Sequence, residues 1–183
     1  MTFLEQGSAI LYMKVGTHAR ESLSDIISRK RQEIAEAGFA MWGYGGNTCH
    51  PITMVQPFAK TARRPIVLCM QPMVSNHFAE PIRAEEYSED GRVWMPVPEG
   101  IDVLGSRYAL CIDSLEEVDE TLNLADTRVA VGNSRGRNGR DYIRGRVDKA
   151  CLELSNIAGA DPKEVRVALT ANVVAPYAVL LRN

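Results

Sequence analysis

Long apolar runs are missing from this 183-residue chain. No stretch approaches the roughly 18 consecutive apolar residues of a membrane helix, so no helical membrane span is expected. Met1 to Gly7 carries Glu5 and lacks the basic-then-apolar pattern of a secretion leader. Cysteine is sparse: Cys49, Cys69, Cys111 and Cys151 include no CxxC pair, which leaves zinc-ribbon and thioredoxin-type sites unsupported. The histidines are His18, His50 and His77, with no HxH or HxxxH spacing, so no metal is expected, nor any other cofactor. No internal repeat, low-complexity tract or domain linker is visible, which argues for one globular domain over residues 1–183. A net charge of −2 argues against a general polyanion binder. These features fit a cytoplasmic protein with reduced thiols and no membrane partner.

Charge is unevenly placed. From Ala84 to Asp126 twelve carboxylates face only Arg92 and Arg107, whereas Asn133 to Ala150 holds six cationic side chains against Asp141 and Asp148. Arginine outnumbers lysine 16 to 5, which favours planar, forked contacts to anions over point charges.

Periodicity and turn chemistry predict the elements. Ala9 to Val15 is a strand, and Ser22-x-x-Asp25 opens a helix that Gly38 ends. Phe39 to Trp42 is a short strand, and Pro51 and Pro57 predict two short helical pieces or a kink. Pro65 to Met70 is a buried strand, and Asp90-Gly91 turns a hairpin between Tyr87 and Val93–Met95. Tyr108 to Ile112 is a strand, and Ser114-x-x-Glu117 predicts a helix to about Leu124. After a strand over Thr127–Val131, the spacing of Tyr142, Ile143, Val147, Ala150, Cys151 and Leu154 predicts a basic helix to about Ser155. Val165–Leu169 and Val173–Leu181 complete the chain as strands, the latter interrupted by Pro176. The order implies an α/β fold: a mixed sheet with flanking helices and a hairpin-rich acidic insert.

Three polar loops follow strands and are expected to share one rim of the sheet if those strands are parallel. The first carries His18, suited to a neutral base or hydrogen-bond donor. The second, Trp42 to Pro51, offers Trp42 and Tyr44 for stacking, Asn47 and His50 for polar recognition, and Cys49 as a nucleophile. A sharp turn with Trp42 in the core fits the same residues. The third presents Arg135, Arg137, Asn138 and Arg140 around Gly136 and Gly139, a loop suited to phosphate but also readable as a solvated turn. His77 is a fourth contributor to the rim. Cys69 and Cys111 lie in apolar runs and are expected to be buried, leaving Cys49 the most accessible thiol.

The function expected from this pattern is binding of a nucleotide or other phosphorylated small molecule, extending to hydrolysis or group transfer with His18, His50 or Cys49 as the reactive group. Two alternatives remain open: an RNA- or DNA-binding module using Arg135–Arg146, and a non-catalytic assembly of identical chains.

Overall fold

A computed structural model describes residues 4–76, 79–155 and 159–183. Strand β1 (Ala9–Thr17) is apolar on both faces: Leu11, Met13 and Val15 enter one core cluster, Ile10 and Tyr12 another. That double burial places it inside the sheet, between β3 (Ile66–Asn76), to which it is parallel, and β9 (Lys149–Leu154), to which it is antiparallel. Helix α1 (Leu23–Ala37) intervenes between β1 and β2 (Ala40–Tyr44) and buries Ile26 and Ile27. Its ends follow the sequence: Ser22 Oγ accepts from Asp25 N, and Gly38 closes the helix at φ +86° with its N–H on Ile34 O.

The sheet has ten strands, with the main order β2-β6-β10-β3-β1-β9-β8, where β6 is Tyr108–Ile112 and β8 Thr127–Val129. It is mixed, because β1–β3 is the parallel pair among otherwise antiparallel neighbours in the described residues. Strand β10 (Glu164–Arg182) is its longest member and also pairs with β4 (Glu86–Ser88) and β7 (Glu116–Asn123). The sequence predicts two strands here; the structure has one, with a register shift against β6 between Val173 and Ala178 that absorbs Pro176. The hairpin around Asp90-Gly91 joins β4 to β5 (Met95–Pro96), Asp90 Oδ1 accepting from the N–H groups of Arg92 and Val93. The two short helical pieces after His50 are a wide turn over Pro51–Val55 and helix α2 (Gln56–Thr61).

Two predicted helices are wholly or partly strands. The 114–124 segment is β7, and Ser114 Oγ accepts from Asn172 N instead of capping a helix. Val118 and Leu122 are four apart, a spacing that shares one face in a helix and in a strand alike, so the pattern is ambiguous and the free edge of β10 decides it. The predicted basic helix is a single turn, α3 (Gly139–Tyr142), then coil, then β9. Strand β9 is buried on both faces: Cys151 joins the first cluster, Ala150 and Leu152 the second. Such a strand shows no alternation, so its apolar run reads as a helix. No helix among the described residues is long and apolar enough to cross a membrane.

Candidate functional site

A cavity of about 630 Å³ opens where the end of β1, the start of β9, the loop after β2 and the segment before β6 converge on α1. Gly43 on β2 is required by this convergence. A Cβ there would stand 2.2 Å from Ser106 Oγ and 2.9 Å from Val103 Cγ1, inside any tolerable contact. Met13, Val15, Ile26 and Trp42 give the cavity an apolar base.

His18 belongs to a tight turn. His18 N donates to Glu21 O (3.1 Å) and Glu21 N to His18 O (2.9 Å), with Ala19 and Arg20 between them at φ +49° and +65°. Two non-glycine residues in the left-handed region are costly, on the order of 1–3 kcal/mol each, and persist only where packing fixes them. Ala19 is fully buried, its methyl close to Gly105. His18 Nε2 lies 3.1 Å from Leu104 O and 3.2 Å from Ser106 Oγ, while Ser106 Oγ donates to the same carbonyl (3.1 Å). With its proton on Nε2 the ring donates to the Leu104 carbonyl, and in the other tautomer Nε2 accepts from Ser106 Oγ. In either form the imidazole ties the turn to the Leu104–Ser106 wall.

The cavity is cationic. Lys14, Arg29, Lys30, Arg107, Arg146 and Lys149 line it against the carboxylates of Glu21 and Asp148. Arg29 pairs with Glu21 and lies 3.7 Å from Glu33. Lys30, 2% exposed, donates to both Glu33 oxygens (3.2 and 3.0 Å) and to Asp102 O (2.5 Å). Burial pushes its pKa down to about 8, against the opposing pull of Glu33. Lys149 projects on the same face of β9 as Cys151, with its side chain 9% exposed and Nζ 2.7 Å from Asp148 Oδ1. Lys14, Arg107 and Arg146 form no ion pair among the described residues. Two lining residues also carry a buried polar atom without a hydrogen bond, Thr48 Oγ1 and Arg29 Nε. Arg29 Nε faces Glu33 Oε1 at 3.7 Å.

Of the residues nominated from sequence, the cavity gathers His18, Trp42, Tyr44 and Asn47. Trp42 and Tyr44 are also core residues, and Tyr44 OH donates to Cys49 O (2.6 Å), with burial pushing the phenol far up. Cys49 is not the accessible thiol expected: it is fully buried, as are all four cysteines. His50 is a cap, its Nδ1 accepting from Ile52 N (3.2 Å), and its ring packs edge-on against Tyr108. Neither residue lines the cavity. Nor do Arg135, Arg137, Asn138 and Arg140, because the loop after β8 folds back along that strand through Gly136 N–Val129 O and Val129 N–Arg137 O, both 2.8 Å. Asn138 serves as the cap of α3 and donates to Ala125 O, and Arg140 faces Asp161 at 3.8 Å. The expected rim of parallel strands does not hold, since β2 runs opposite to β1 through the antiparallel steps β3–β10, β10–β6 and β6–β2, and of the three loops two line the cavity. His77 lies outside the described residues.

Sequence reasoning missed Lys14, Arg29, Lys30, Thr48 and Ser106, and it placed Arg146 and Lys149 on a helix. Lys149 carried one usable signal, a charge directly at the head of the apolar run Ala150, Cys151 and Leu152. No protein-family model, curated protein or solved structure matches this chain.

Proposed function

We propose that the cavity binds an anionic small molecule with an apolar or planar body, of the class of nucleotides and other phosphorylated metabolites. The observation that carries this reading is a set of six cationic residues lining one cavity of a chain whose net charge is −2, three of which, Lys14, Arg107 and Arg146, form no ion pair among the described residues. A concave site with an excess of one sign focuses its field and strengthens each contact to an opposite charge. The size suits a ligand of nucleotide scale. Lys149 and Arg146 would hold the anionic group, and the base formed by Trp42, Met13 and Ile26 would take the body.

The test is a thermal-shift panel of a nucleoside monophosphate, a sugar phosphate and inorganic phosphate, followed by calorimetric titration of the best binder. A ligand that binds only the folded state raises the melting temperature. Lys149→Met and Arg146→Ala should each weaken binding about ten- to hundredfold, the loss of one charge-assisted contact. Arg137→Ala, outside the cavity, should leave affinity unchanged. A panel without any shift, or an equal loss in Arg137→Ala, overturns the reading.

A further inference from the structure

Behind the cavity wall, Cys49 Sγ and Cys151 Sγ are 3.8 Å apart, 102 residues apart in the chain, and both buried. Cys49 holds a left-handed backbone at φ +56°, a region where a side chain with a β-carbon is disfavoured and glycine or asparagine is the ordinary choice. The bond from Tyr44 OH to Cys49 O pins that conformation, and the conformation directs the sulfur at Cys151. Each cysteine is close in sequence to the cavity: Thr48, which precedes Cys49, and Lys149, two residues before Cys151, both line it. The other two thiols are separate from this pair, Cys69 in the second cluster and Cys111 in the third.

We propose that Cys49 and Cys151 form a redox pair that a small peroxide closes to a disulfide. One thiolate attacks the peroxide O–O bond, forming a sulfenic acid and releasing hydroxide; the neighbouring thiol then displaces the sulfenic oxygen as water. Two thiols are oxidised by two electrons in all, and hydrogen peroxide is reduced to two waters. The reaction is slow at neutral pH, since contact with Cys49 and burial both hold the Cys151 thiol in its protonated form. The product ties the loop after β2 to β9, joining the two walls that carry Thr48 and Lys149. The proposal stands independently of the anion reading.

The experiment treats the whole reduced protein with hydrogen peroxide, blocks remaining thiols by alkylation after unfolding, and maps cysteine peptides by mass spectrometry. Circular dichroism of the same sample reports whether the fold is kept. The expected result is one Cys49–Cys151 cross-link in folded protein, reversed by dithiothreitol, with Cys69 and Cys111 recovered as thiols. Cys49→Ser and Cys151→Ser should each abolish it. Recovery of Cys49 and Cys151 as thiols or sulfinic acids, or cross-links scrambled among all four cysteines, overturns the proposal.

Discussion

At Gly43 a single methyl group decides whether β2 can lie against the Val103–Ser106 segment, because the nearest atom would stand 2.2 Å away. Gly43→Ala should therefore destabilise the protein by about 1–3 kcal/mol through forced displacement of Ser106 and Val103. Two residues on, a Cβ at Gly45 meets no atom within 4 Å, so Gly45→Ala should change stability by less than about 0.5 kcal/mol. Urea unfolding of the two variants measures the contrast; equal midpoints would show that the wall yields. The sequence marks this stretch as unusual by its three glycines, Gly43, Gly45 and Gly46, but not which of them is needed. That depends on Ser106, 63 positions away, and no local pattern records it.

Among the elements, α1 is the one whose sequence and structure agree most closely, because its start and stop are both local. Ser22 Oγ meets Asp25 N at 3.2 Å, and Ser22→Ala should cost about 1 kcal/mol, read as a lower urea midpoint with unchanged slope. An unchanged midpoint would show that packing of Ile26 and Ile27 alone sets this end of the helix. Strands β7 and β9 show the opposite case. Glu116–Asn123 carries strong helix formers, yet it pairs with β10 through a ladder from Glu164–Asn123 to Thr170–Glu116. Strand β9 lies between β1 and β8, and a strand buried on both faces loses the alternation that identifies one. Recasting that segment as a strand removes the basic helix and turns Lys149 into the cavity.

For the whole molecule, buried thiols and phenols are expected to set the alkaline limit. Burial raises Cys69 and Cys111 from 9.0 to about 12, and it also raises Tyr12 and Tyr44. A group whose folded pKa is raised contributes stability that is complete below its unfolded value and is lost as pH climbs toward the folded one. Each thiol should thus cost about 1.4 kcal/mol per pH unit above pH 9. Lys30 has the opposite sign, since its pKa falls from 10.5 to about 8 and its share of stability rises with pH between those values. One amine against several thiols and phenols leaves a net decline above about pH 9. Urea midpoints from pH 7 to 11 check this; a flat profile would mean that these groups reach solvent in the folded state.

By itself the sequence determined the helix α1 with its caps, the strand at Tyr108–Ile112, the paired helical turns around Pro51 and Pro57, and the mixed character of the sheet. Each rests on a signal carried by neighbours in the chain: a cap, a proline, a glycine, an uninterrupted apolar run. It also brought His18, Trp42, Tyr44 and Asn47 into consideration, and all four line the cavity. Only the tertiary structure decided that Cys49 and His50 turn away from it, and that the arginine loop folds back on β8. It alone placed Lys14, Lys30, Arg146 and Lys149 around the same space. Those placements follow from strand pairing between distant segments, β1 with β9 and β2 with β6. A cationic cavity is a property of where side chains converge, and convergence of residues more than a hundred positions apart leaves no trace in local spacing.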